Sequence, residues 1–182
     1  RLIGQAQIQF QTAGVADGND NGTGEYGTFG ELSGSIAVRA ANGGTAFMKP
    51  TLISPAFRAI SPVGEIVRGG YHFRMYLPDA AGAGLLELPG GGADANVNAD
   101  QAESIWCCYA WPSRVGGTGR RAFFTNQTGA FYYTEHHLYS GPGAPLGPGA
   151  ALSMGGAINS IVGEPAHNAP GRDGNDWRSM GK

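Results

Sequence analysis

Apolar positions recur at helical spacing only at the start of the chain. Ile3, Ala6, Phe10 and Ala13 fall on one stripe, and Gln5, Gln7, Gln9 and Gln11 cover much of the remaining surface. This predicts a helix over 1–13, with Gly14 as its C-terminal stop. Arg1 carries no capping signal, so the pattern also predicts a longer helix upstream that is removed or docked elsewhere. Later the period changes to two. Tyr71, Phe73, Met75 and Leu77 alternate with His72, Arg74 and Tyr76, which predicts a half-buried strand ended by Pro78. A second strand is predicted from Ser104 to Trp111, closed by Pro112. Arg121 to Thr125 and Ala130 to Thr134 flank Asn126-Gln127-Thr128-Gly129, a β-hairpin with a four-residue turn.

Between these elements lie a polar loop over 17–30, a proline-punctuated connector over 50–62 and a glycine-rich loop over 82–100. After Tyr139 the chain loses periodicity and becomes rich in glycine and proline. The expected fold is therefore α+β: an N-terminal helix packed on an antiparallel β-meander of about four strands, with a long loop-rich C-terminal extension. A globular domain is expected over 1–139. The extension over 140–182 is too poorly patterned for a core of its own, and is expected to lie on its own domain or on a neighbouring subunit.

Composition sharpens this picture. The 182 residues include 32 glycines, only 14 % are charged, and the net charge is −2. The absence of a basic stripe argues against nucleic-acid binding and against a polybasic membrane face. No apolar run approaches the roughly 18 residues that span a bilayer. Weak charge lowers repulsion between copies, and small residues let backbones approach, so association with copies of itself is the expected partnership. Cys107 and Cys108 are adjacent, so on a strand they point to opposite faces. The pattern predicts one buried thiol and one more exposed, with a vicinal or intersubunit disulfide as the other arrangements.

The chemistry-bearing motif is Asp17-Gly18-Asn19-Asp20-Asn21-Gly22-Thr23-Gly24-Glu25. Oxygen side chains recur at Asp17, Asn19 and Asn21, Gly22 permits a sharp turn, Thr23 offers a carbonyl and Glu25 closes the shell. This spacing suits calcium, which takes six to eight hard oxygens. Thr28 stands where a bidentate glutamate would complete the loop, so Glu31 or a distant residue has to substitute. The same residues also suit an Asx-rich turn without metal. Asp94-Ala95-Asn96-Val97-Asn98-Ala99-Asp100 and Asp173-Gly174-Asn175-Asp176 repeat the spacing more weakly.

The chain resembles type IV pilin-like proteins, including the major pseudopilins of type II secretion, over 1–139. The residues that carry the resemblance are Gln5 to Gln11, the stretch Gly24-Glu25-Tyr26-Gly27-Thr28-Phe29-Gly30-Glu31-Leu32, the strand Gly70-Tyr71-His72-Phe73-Arg74 and the hairpin Ala122 to Gly129. The family's apolar N-terminal segment does not occur in this sequence. The resemblance implies an extracellular or cell-surface filament subunit, with calcium holding a loop near the sheet through Asp17, Asn19, Asn21 and Glu25.

No enzymatic constellation is found. Glu135-His136-His137 lacks the four-residue histidine spacing of a helical zinc site, and no nucleophile elbow or phosphate loop occurs. The reading from a different class is a secreted, calcium-stabilised carbohydrate-binding module. Trp106 and Trp111 are five apart, so on a strand they face opposite ways, one buried and one exposed.

Overall fold

The computed structural model describes residues 1–90 and 96–181. Helix α1 spans Leu2–Thr12 and buries Ala6 and Phe10 of the expected stripe; Gln7, expected on the polar side, is buried as well, while Ile3 is half-buried and Ala13 exposed. Gly14 stops it in a left-handed conformation, at φ +62°. The four-residue α2, Phe29–Leu32, opens on a capping box: Thr28 accepts from the Glu31 amide while the Glu31 carboxylate accepts from the Thr28 amide.

The sheet holds eight strands among the described residues. β1 is Ile66–Arg68, β2 Tyr71–Pro78, β3 Gly84–Leu86, β4 Cys107–Pro112, β5 Ala122–Asn126, β6 Phe131–Thr134, β7 Ala169–Pro170 and β8 Asp176–Ser179. Their order is β1-β2-β4-β5-β6-β8-β7, with β3 also pairing β2, and every pairing between them is antiparallel. Two further short helices are a 3-10 turn at Pro55–Phe57 and α3 at Ala99–Ala102.

The strand alternation sends side chains to two covered faces. Met75, Leu77, Trp106 and Cys108 pack beneath α1 with Phe10, Phe29, Leu32 and Phe57. Tyr76, Tyr109, Trp111 and Phe124 point the other way, and meet Tyr139, Leu146, Leu152, Ile161 and Trp177 from the C-terminal segment. That segment lies on its own sheet, and β8 extends the sheet beside β6.

This architecture corrects the expected fold class. The chain is mainly β, an eight-stranded antiparallel sheet with one 11-residue helix, and not an α+β helix on a four-strand meander. The expected strand over Tyr71–Leu77 and the hairpin after Arg121 are present, but strands from the C-terminal segment enlarge the sheet. The pilin resemblance falls with it, because a pilin fold requires a long N-terminal helix packed on the sheet. Covering both faces also changes two local expectations. Trp106 and Trp111 do point to opposite faces, yet they are only 2 % and 0 % exposed. Cys107 and Cys108 are both buried and both free.

Candidate functional site

Three features could carry function: the loop over 17–25, the carboxylates behind it and the outer face of α1. In the loop, Asp17 accepts from the Asn21 amide at 3.1 Å and the Gly22 amide at 2.9 Å. Asn21 Oδ1 accepts from the exposed Thr23 at 2.7 Å. Gly22 sits at φ +85°, the left-handed turn its position in the motif calls for. The loop docks on α3. The Asn21 side-chain amide donates to Glu103 at 2.7 Å, and that of Asn19 donates to Glu103 at 3.2 Å and to Asp100.

Asn19 and Asn21 therefore meet two carboxylates that the motif itself does not contain, while the Asp17 carboxylate accepts from the loop's own amides. Rotating each terminal amide by half a turn exchanges its nitrogen for its oxygen. Asn19, Asn21, Asp100 and Glu103 would then present oxygens, the donor type calcium takes, at the loss of the bonds that the two asparagine oxygens accept from the Asn21 and Thr23 amides. Glu25 does not join them. It is 1 % exposed, accepts from the Gly18 amide and pairs with Arg39. Glu31, the other candidate to close the shell, is fully buried in the α2 cap. As the side chains stand, the described residues hold no cluster of three or more His, Cys, Asp or Glu poised for a metal. Asp94 lies outside the described residues. Asp173 is occupied structurally, accepting from Tyr139, Trp177 and the Asn175 amide.

Behind the loop, Arg39 bridges two buried acids. Its Nη1 lies 2.6 Å from Glu25 and its Nε 3.0 Å from Glu31. Glu87, also buried, accepts from the Phe29 amide at 2.8 Å and the Gly30 amide at 2.7 Å. Burial pushes the Glu87 carboxyl up to about 7, although those two amides favour its ionised form.

The outward side of α1 carries Leu2, Gln5, Ile8, Gln9 and Thr12, with no charge among them. Leu2 is 76 % exposed and Ile8 55 %. Most surface helices instead turn charged residues to water.

The remaining candidates have structural partners. Beyond β6, His136 and His137 stack their rings 5.1 Å apart, and His136 also meets Tyr139. Glu135 pairs with Arg121 at 2.9 Å. Sequence reasoning missed a buried trio in which Glu65 accepts from Arg74, faces His72 Nδ1 at 2.9 Å and accepts from the Gly143 amide at 3.0 Å. This trio ties the C-terminal segment to the sheet. Burial raises the pKa of Cys107 and moves that of Cys108 to about 12, which keeps both as unreactive thiols. All three indoles are buried, so none offers a flat sugar platform.

No protein-family model, curated protein or solved structure matches the chain. No helix among the described residues is long and apolar enough to cross a membrane.

Proposed function

We propose that this chain is a non-enzymatic structural subunit, extracellular or at the cell surface, that associates with copies of itself. The observation that carries this reading is the uncharged outer face of α1, with Leu2 and Ile8 left in solvent. Packing two such faces together removes apolar area from water without stranding a charge. The low overall charge also keeps repulsion between copies small.

Calcium is the proposed ion at the loop, held by Asp17, Asn19 and Asn21 together with Asp100 and Glu103. It would cancel the carboxylate charge gathered there and lock the loop against α3. Thr23 and Glu25 are given no ligand role in this proposal. An exposed site that has to rotate its amides suits the weak end of calcium affinity, about 10⁻⁴–10⁻³ M, found in extracellular modules.

Two copies that pack the same face on each other close as a dimer. The test is the solution mass of the full chain at high concentration with calcium: a dimer is expected, and a monomer would refute the reading.

A further inference from the structure

Two Asn-x-Thr triplets occur in the chain, Asn21-Gly22-Thr23 and Asn126-Gln127-Thr128. With a middle residue other than proline, this is the acceptor pattern for an N-linked glycan: the asparagine amide takes the sugar, and the hydroxyl two residues on completes the recognised triplet. A three-residue pattern recurs readily by chance, so accessibility in the fold has to decide between the two. Asn126 ends β5 and is only 2 % exposed. Its Oδ1 accepts from the Thr128 hydroxyl at 2.7 Å and from the Thr128 amide at 3.1 Å. A side chain so enclosed leaves no path for a sugar out of the folded chain.

Asn21, Gly22 and Thr23 are all exposed. Open space lies where a Gly22 side chain would stand. The Thr23 backbone amide donates to Asn21 Oδ1 at 2.7 Å, and the Thr23 hydroxyl makes no hydrogen bond among the described residues. Asn21 Nδ2 donates to Glu103 at 2.7 Å, which uses one of its two hydrogens and leaves the other for substitution. We propose that Asn21 carries an N-linked glycan and that Asn126 carries none. In the transfer, Nδ2 bonds to the anomeric carbon of a sugar held on a lipid diphosphate. The bond from that carbon to the diphosphate breaks, the diphosphate leaves with the bonding pair, and Nδ2 gives up one proton. Oδ1 takes no part, so the side chain keeps the oxygen that the calcium proposal uses. The inference rests on the extracellular or cell-surface reading, because glycans of this kind belong to surface loops of secreted chains.

The test is peptide mass mapping of the full chain from its native source, collected separately from inside and outside the cell. Each sample is mapped before and after the amidase that removes N-linked glycans and leaves aspartate. Sugar mass is expected on the tryptic peptide 2–39, released by the amidase with conversion of Asn21 to aspartate, and no sugar is expected on Asn126. Thr23→Ala, expressed in the same source, should lose the glycan and Thr23→Ser should keep it. Neither substitution alters a proposed calcium ligand, so the loss would report the acceptor triplet itself. Chain found outside the cell with a bare Asn21 overturns this inference alone. So does a glycan that survives Thr23→Ala, or one found on Asn126. Chain confined to the cell interior refutes the proposed location, and this inference falls with it.

Discussion

The Arg39 guanidinium lies 2.6 Å from the Glu25 carboxylate, and its Nε reaches the fully buried Glu31 at 3.0 Å. One partly exposed cation thus compensates two acids that the fold takes out of water. Removing it strands both charges, so Arg39→Ala should cost about 3–5 kcal/mol in urea unfolding. Arg39→Lys keeps the charge but loses the planar fork, and should recover only part of that loss. A cost below about 0.5 kcal/mol for Arg39→Ala would mean that water, not Arg39, satisfies the two acids.

The C-terminal segment is expected to be indispensable for folding. It covers Tyr109, Trp111 and Phe124 on the second sheet face, and Trp177 within it is 0 % exposed. Trp177→Ala should cost about 3–5 kcal/mol, as should Phe10→Ala under the opposite face. Deleting residues 141–182 should abolish cooperative unfolding and the near-ultraviolet circular dichroism of the packed aromatics. A truncated chain that still melts cooperatively would show that the first face is a sufficient core.

The strands were legible in the sequence because their alternation is local: Tyr71, Phe73, Met75 and Leu77 announce one face without help from any other residue. The second layer was not. Leu146, Leu152 and Ile161 each drop one side chain onto the sheet from irregular backbone, and loops leave no period to detect. The candidate site divides in the same way. Asp17, Asn19 and Asn21 stand at their spacing within nine residues. Asp100 comes from 81 positions beyond Asn19, and only the tertiary fold brings it there. Glu25 fits the motif by position, yet Arg39 draws it inward, and a charge partner fourteen residues away leaves no trace in local spacing.

Glu87 gives the stability a pH dependence of defined sign. Burial raises its folded-state pKa from 4.5 to about 7, so between those values the folded chain holds a proton that the unfolded chain releases. The Glu87 contribution is therefore full below about pH 4.5 and is lost as pH rises through about 7. Urea unfolding of the parent and of Glu87→Gln across this range isolates it. The parent should lose more stability than the variant between pH 5 and 7.5, and parallel curves would refute the assignment.

Calcium should stabilise the folded chain. If it binds only the folded state, a hundredfold excess over the dissociation constant adds roughly 2.7 kcal/mol. Melting curves with calcium and with a chelator should separate, and Asp17→Ala or Glu103→Gln should close the gap. Glu103 distinguishes this ligand set from the local motif alone, because it approaches the loop from α3. Coincident curves for the parent would remove calcium from the account.

The central claim, association through the outer face of α1, is tested most directly by sedimentation velocity of the parent and of Ile8→Glu with calcium over a wide concentration range. Ile8 is 55 % exposed, so the substitution should leave the melting temperature of the monomer nearly unchanged. Yet it places a charge where two helices would meet. The account predicts a dimer that gains on the monomer as concentration rises for the parent, and a monomer at every concentration for Ile8→Glu. A parent that stays monomeric throughout, or an Ile8→Glu variant that associates as the parent does, would contradict it.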